Sequence, residues 1–160
     1  MKNYHPYIDL QVVTDVDNLP SLAQFELWTQ LVFTEIKHPG GEMAIRIVDE
    51  TESQELNAAY RHKDAPTNVL SFIFEIPPGI PEGAYEPQLG DLVICSSVVS
   101  RESKEQSKPV FDHWAHLVIH GTLHLLGYDH IDEDDAHEME LLETRILCKL
   151  NINDPYNIIN

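Results

Sequence analysis

Three histidines in the C-terminal half of the chain have the residue type and the spacing of a metal site. They lie in the segment His120-Gly-Thr-Leu-His124-Leu-Leu-Gly-Tyr-Asp-His130. Residues four apart on a helix share one face, so His120 and His124 can bind the same ion. Gly127 can adopt the left-handed conformation that ends a helix and reverses the chain, which lets His130 return as a third ligand. Three protein ligands leave a fourth position for water or substrate, the pattern of catalytic zinc, so we expect one zinc ion per chain.

Other polar residues near this segment are weaker candidates. His116 lies one helical turn before the first ligand, and we expect a packing or supporting role for it. We expect His113 on the helix surface. Asp129 either accepts a supporting hydrogen bond near the metal or belongs to the solvated surface, and the sequence leaves both open. The other acidic residues between 129 and 143 are mostly expected on a solvated helix face.

The histidine spacing also matches the metzincin proteases, which carry a glutamate directly after the first histidine as general base. In this chain Gly121 occupies that position. Because glycine offers no carboxylate, ordinary zinc peptidase chemistry lacks its base here. A zinc-dependent peptidase or small-molecule hydrolase is therefore an alternative of second rank.

The hydrophobic pattern predicts the elements that must position these residues. Strands are predicted at 8–13, 43–48, 69–76 and 89–95, and a loop rich in proline and glycine follows the third strand. Helices are predicted after caps at Ser21, Thr51 and Asp132, from Ser96 or Ser97 to near 108, and over 110–126. This order predicts an α+β fold: a mixed four-stranded sheet packed against several helices, in a single domain over residues 1–160. The metal site would lie on the 110–126 helix and the turn after it.

Composition and charge restrict the function further. The chain has 160 residues, with 27 Asp and Glu against 10 Lys and Arg, and a formal net charge of −17. This is the wrong sign for a protein that coats nucleic acid non-specifically, so a bound polyanion must be held by a few local cations and a metal. No apolar run approaches the roughly 20 residues that span a bilayer, and no secretory signal is visible. Cys95 and Cys148 are expected as buried reduced thiols, which favours a cytoplasmic location without a membrane partner.

Three blocks of the sequence resemble the YbeY family of bacterial, single-domain, metal-dependent endoribonucleases, which are implicated in 16S ribosomal RNA maturation and ribosome quality control. Residues 120–130 are similar to the family signature H-G-x-L-H-L-x-G-Y-D-H. Residues 56–72 read L-N-x-x-Y-R-x-K-D-x-P-T-N-V-L-S-F and resemble its other long motif. Residues 89–94, L-G-D-L-V-I, resemble a third block. The likeness runs through most of the chain in the same order.

The resemblance implies a zincin-like fold, zinc bound by the three histidines, and a functional arginine at Arg61. A guanidinium group can donate two parallel hydrogen bonds to phosphate oxygens, which suits this role. Without the resemblance, a surface salt bridge between Arg61 and Asp64 would be the simpler interpretation. We expect Lys63 to contact the phosphate backbone, and Asp64 and Asn68 to hold the loop around Arg61 in shape.

The favoured function is therefore a zinc-dependent endoribonuclease, specific for single-stranded RNA, that acts in 16S rRNA 3′-end maturation and ribosome quality control. The alternatives are the peptidase or small-molecule hydrolase above, and a non-catalytic ribosome-assembly factor with a structural metal. RNA rather than DNA is the expected partner. Ribosomal proteins or a ribosome-associated GTPase could deliver it, with a basic surface that meets the acidic C-terminal helix. Because position 121 is glycine, the proton acceptor would be a zinc-bound hydroxide, a neighbouring side chain or the RNA 2′-hydroxyl.

Overall fold

The computed structural model describes residues 7–81, 88–129 and 131–156. Within these residues the strands are β1 (Tyr7–Val12), β2 (Glu42–Val48), β3 (Val69–Ile73) and β4 (Gln88–Cys95). The helices are α1 (Leu22–Ile36), α2 (Glu50–Arg61), α3 (Ser96–Glu105), α4 (Val110–Leu125) and α5 (Glu133–Cys148). None of them combines the length and the hydropathy that a bilayer crossing needs.

The four strands form one mixed sheet in the order β1-β2-β4-β3. β1, β2 and β4 are parallel, whereas β3 runs antiparallel to β4 and lies at the edge of the sheet. The predicted α+β fold with a mixed four-stranded sheet is therefore confirmed. β3 is shorter than the predicted 69–76 strand because Ile73 already pairs with Gly90, so few residues of β4 remain for further pairing.

Helix caps explain where several helices begin. The Ser21 side chain accepts a hydrogen bond from the Gln24 amide, and the Gln24 side chain accepts one from the Ser21 amide, which confirms the predicted capping box. Asp132 caps α5 as predicted. The predicted cap at Thr51 is wrong: Asp49 caps α2 instead, and its carboxylate accepts from the Glu52 amide at 3.0 Å. Aspartate is the stronger N-cap, and it begins the helix before Thr51 is reached.

The two faces of the sheet are covered differently, because successive residues of a strand point to opposite faces. Ile47 and Ile94 belong to the main core, together with apolar residues of α1, α4 and α5. Val48 and Cys95 point the other way into a smaller cluster, against which Leu56 of α2 packs. Helix α4 therefore packs in the larger core, whereas α2 packs through Leu56 against the cluster on the other face.

The prediction of two buried thiols is only half right. Both cysteines are free, but Cys148 is exposed while Cys95 is buried. Cys148 is the last residue of α5, and its neighbours Ile146 and Leu147 occupy the core-facing side of that turn. Of the predicted loop after the third strand, residues 82–87 lie outside the described residues.

Gly90 is the glycine with the strictest requirement. Its φ is +136°, and a Cβ atom there would lie 2.0 Å from the carbonyl oxygen of Phe72 on β3. Gly79 also has positive φ, at +86°, but a Cβ atom would meet nothing within 4 Å. A side chain at position 79 would therefore introduce backbone strain alone, whereas one at position 90 would introduce strain and also collide with β3.

We predict that Gly90→Ala lowers the free energy of unfolding by more than about 3 kcal/mol or prevents folding, because strain and overpacking act together. Gly79→Ala should lower it by only about 1 kcal/mol, since it introduces strain alone. Urea unfolding followed by circular dichroism measures both. Equal effects would show that the close approach of β3 and β4 does not require glycine.

Candidate active site

Helix α4 carries three histidines along one side. His116, His120 and His124 follow one another every four residues and are only partly buried, whereas Ile119 and Leu123 between them are fully buried in the core. The Nε2 atoms of His120 and His124 lie 3.1 Å apart. Two nitrogens bound to one tetrahedral zinc at about 2.05 Å each are about 3.3 Å apart. The structure thus brings this pair to the separation that one ion requires.

The turn after α4 has the predicted form. The helix ends at Leu125, and Gly127 adopts a positive φ of +97°. His130, the third predicted ligand, lies outside the described residues. Its neighbours on either side, Asp129 and Ile131, line the same cavity as His120 and His124. The chain therefore turns back toward the histidine pair after Gly127.

A buried carboxylate supports His120. Glu143 of α5 is 0% exposed, and its Oε1 atom lies 2.5 Å from His120 Nδ1. Burial by itself raises the pKa of Glu143, but hydrogen bonds with His116, His120 and Tyr156 outweigh it and hold the pKa at about 2. An ionised carboxylate only accepts hydrogen bonds, so His120 Nδ1 must donate. His120 Nε2 then carries the lone pair, which accepts from His124 Nε2 in this structure and can bind a metal instead.

The expectation that the acidic residues of α5 form a solvated face is therefore wrong for Glu143. The signal was present in the sequence. Glu143 lies four residues after Met139 and three before Ile146, both fully buried, which places it on the core-facing stripe of α5. Helical spacing could have separated this acid from its exposed neighbours.

His116 is held by the same network. Its Nε2 atom lies 3.3 Å from Tyr156 Oη and 3.5 Å from Glu143 Oε1. His116, His120 and Glu143 form a group that could hold a metal ion, with ligand atoms within 4.8 Å of one another. However, 2.5 Å between His120 Nδ1 and Glu143 Oε1 is a hydrogen-bond distance, shorter than the roughly 3.3 Å between two ligands of one tetrahedral zinc ion. Geometry thus favours a supporting role for this group beside the His120–His124 pair.

His113 is not on the helix surface, contrary to the prediction. It is buried, and its Nε2 atom lies 2.9 Å from Glu102 Oε1 of α3. The Glu102 carboxylate also accepts from Asn68 Nδ2 at 2.9 Å. His113 therefore belongs to the connection between α4, α3 and the loop before β3.

Arg61 is the last residue of α2 and points toward the edge strand. Its Nη2 atom donates to the carbonyl oxygen of Ser71 at 3.0 Å. Within the described residues it forms no ion pair with Asp64, whose carboxylate accepts instead from Gln54 Nε2 at 2.9 Å. Ser71 in turn places its hydroxyl 3.5 Å from the carbonyl oxygen of Gly121 on α4. Ser71 therefore links the arginine to the helix that carries the His120–His124 pair.

A single cavity of about 780 Å³ joins the arginine to the histidines. Arg61 and Lys63 line one part of it, and His120 and His124 line another. Guanidinium and ammonium groups bind phosphate oxygens, and a metal held by imidazoles does the same. The cavity is therefore suited to an anionic, phosphate-containing group.

Comparison with known proteins identifies the family. A family model described as Endoribonuclease YbeY matches residues 10–151. The chain belongs to the YbeY endoribonuclease family. The Endoribonuclease YbeY of Alcanivorax borkumensis is 51% identical over 152 residues, which cover 95% of this chain and 87% of that protein. A solution structure from Thermotoga maritima covers 96% of this chain and 99% of its own at a TM-score of 0.55 and 22% identity, a likeness that concerns the fold.

Gly121 shows why this YbeY chain cannot use the metzincin base. A Cβ atom there would lie 2.8 Å from Leu92 Cδ2 and 3.4 Å from Ser71 Oγ. The position directly after His120 therefore faces the sheet, and α4 approaches it too closely for a larger side chain. A glutamate at this position would therefore require the buried Leu92 side chain to move.

The loop that carries Lys63 is held from α2 by two buried side chains. Asn57 Nδ2 donates to the Ala65 carbonyl oxygen at 2.8 Å. Ser53 Oγ donates to the Thr67 carbonyl oxygen at 3.0 Å and accepts from the Thr67 amide at 2.9 Å. These contacts give the loop one conformation although most of its residues are exposed.

We predict that Asn57→Ala lowers the free energy of unfolding by about 1–3 kcal/mol, since it leaves the Ala65 carbonyl without its buried donor. Gln54→Ala, one turn earlier on α2, removes only an exposed hydrogen bond and should change the value by less than about 0.5 kcal/mol. Chemical denaturation curves of both variants test this. If Gln54→Ala lowered the free energy of unfolding as much as Asn57→Ala does, the Asn57 side chain would not be what holds the loop.

Proposed function

We propose that this YbeY-family chain is a zinc-dependent endoribonuclease that cuts single-stranded RNA and acts on the 16S ribosomal RNA precursor in its 3′-end maturation and in ribosome quality control. One observation carries the proposal: Arg61 and the His120–His124 pair line the same cavity. A phosphodiester group in that cavity would meet a cation on one side and a metal site on the other. Family membership supports RNA as the substrate class.

We propose His120, His124 and His130 as the zinc ligands. Neutral imidazole nitrogens are common zinc ligands, and three of them leave an open position. The Nε2 separation of 3.1 Å and the donated Nδ1 hydrogen of His120 both fit this assignment. Zinc in such a site supplies Lewis acidity, which polarises a phosphate oxygen and lowers the pKa of water.

Arg61 would bind the non-bridging oxygens of the scissile phosphate. One of its terminal nitrogens is held by the Ser71 carbonyl, which fixes the guanidinium plane before substrate arrives. Donors that are positioned in advance stabilise the charge of the transition state without reorganisation. Lys63, on the same cavity wall, would contact a neighbouring phosphate.

The net charge of −17 repels RNA at long range, so we propose that a partner delivers the substrate. The exposed acids in the first turn of α5, Glu133, Asp134 and Asp135, offer a surface for a basic ribosomal protein or a ribosome-associated GTPase. Glu143 does not belong to that surface, because it is buried. Ribosomal partners would be consistent with a cytoplasmic location.

We predict that Arg61→Ala reduces cleavage of a single-stranded ribosomal RNA fragment by about 10²–10³, the usual effect of one removed transition-state donor. His124→Ala should abolish cleavage, and a chelator should do the same to the wild type. Arg101→Ala is the matched control, because this exposed arginine of α3 pairs with Glu50 away from the cavity.

Identical purification of all four proteins controls for contaminating nuclease, and circular dichroism confirms that each is folded. If all four cut alike, the activity does not belong to this site. A non-catalytic assembly factor would then be the better interpretation. Activity against a peptide substrate without RNA cleavage would favour the hydrolase alternative.

We also predict that Glu143→Gln weakens zinc binding by about 10–100-fold, the usual effect of losing a partner of a metal ligand. Glutamine has the same shape but no negative charge to hold the Nδ1 hydrogen of His120. Glu138→Gln, on the exposed side of α5, should leave affinity unchanged. Competition with a chromophoric chelator measures the dissociation constants, and equal values for the two variants would remove Glu143 from the metal centre.

A further inference from the structure

The segment after α5, residues 151–156, folds back toward the metal centre. The Ile152 amide donates to the Leu147 carbonyl at 3.0 Å, and the Ile152 side chain packs against the main core. Asp154 Oδ1 accepts from Thr144 Oγ1 of α5 at 3.2 Å and from the Tyr156 amide at 2.8 Å. These contacts define the position of Tyr156 relative to α5.

Tyr156 reaches the two residues that surround His120. Its hydroxyl donates to Glu143 Oε2, and His116 Nε2 lies 3.3 Å from the same hydroxyl. The Tyr156 ring packs edge-on against His116, with centroids 5.6 Å apart and an interplanar angle of 90°. Tyr156 also lines the cavity and is 41% exposed. The phenol thus connects the cavity wall with the buried carboxylate.

We propose that Tyr156 is a positioning residue of the metal centre: its hydroxyl fixes Glu143, and Glu143 in turn orients His120. The inference rests on the proposed zinc site. It assigns a function to the segment after α5, which would otherwise be a surface extension.

The two oxygens of the buried Glu143 carboxylate have different partners. Oε1 of Glu143 faces His120 Nδ1, and Oε2 faces Tyr156. Without a donor on Oε2, the carboxylate could rotate or draw in water, because a buried charged oxygen needs a hydrogen-bond partner. Either change would loosen the hydrogen bond to His120. The phenol therefore holds the carboxylate in the one orientation that presents Nε2 of His120 to the metal.

His116 fits the same arrangement. The Tyr156 hydroxyl gives its hydrogen to Glu143, so toward His116 it can act only as an acceptor. His116 Nε2 therefore donates, and a nitrogen that carries a hydrogen cannot bind a metal at the same time. This agrees with the supporting role of His116.

The test measures zinc affinity of the full chain by chelator competition. Tyr156→Phe removes only the hydroxyl and should weaken zinc binding by about 10-fold. Tyr60→Phe is the matched control: Tyr60 packs against Phe72, outside the cavity walls, and its change should leave affinity within twofold. Asp154→Ala, which releases the segment without touching the site, should weaken binding in the same direction as Tyr156→Phe.

A double-mutant cycle separates positioning from general stability. If Tyr156 acts through Glu143, then Tyr156→Phe should have no further effect on zinc affinity in the Glu143→Gln background. Additive losses would overturn the proposed route. Absorption of the cobalt-substituted protein gives a second readout, since a reoriented His120 changes the ligand field whereas a mere loss of stability does not.

The outcomes distinguish the two proposals. A wild-type chain that binds no zinc would overturn the metal site itself. A wild type that binds zinc, with Tyr156→Phe within twofold of it, would overturn only the positioning role of Tyr156.

Discussion

The close contact between α4 and the sheet is the constraint on which the site depends. Gly121 allows this contact, because any side chain there would collide with Leu92. The contact directs one side of the helix into the core and leaves the histidine stripe on the other. It also brings α4 beside Ser71, which holds Arg61. The position of α4 therefore brings the part of the cavity lined by the histidines next to the part lined by Arg61.

The site also depends on the negative charge of Glu143, which is buried in the core. An isolated carboxylate in this position would be strongly unfavourable, and a buried ion is stable only when hydrogen-bonded and paired. Glu143 satisfies that condition with His120 and Tyr156. The requirement couples α4, α5 and residues 151–156, so the conformation of His120 depends on two elements besides its own helix.

The protein has a net charge of −17, which repels RNA, but it also has a small site lined by two cationic side chains. The acids in the first turn of α5 are exposed at the surface, while Arg61 and Lys63 line the cavity beside the histidines. Long-range attraction of RNA is therefore weak, and recognition must occur at short range, where the guanidinium donors act directly. Such a division favours selectivity over non-specific nucleic-acid affinity, in agreement with membership of the YbeY family.

The sequence by itself determined what depends on local spacing: the His120–His124 pair, the positive φ of Gly127, the caps at Ser21 and Asp132, and the mixed sheet. The histidine spacing, the caps and the turn act over a few residues, and the order of strands and helices along the chain indicates the mixed sheet. Only the tertiary structure showed that Glu143 is buried against His120 and that Arg61 bonds to Ser71 rather than to Asp64. Both depend on how separate elements pack. Helical spacing places Glu143 on the core-facing stripe of α5, but only the packing of α5 against α4 decides that this carboxylate meets His120.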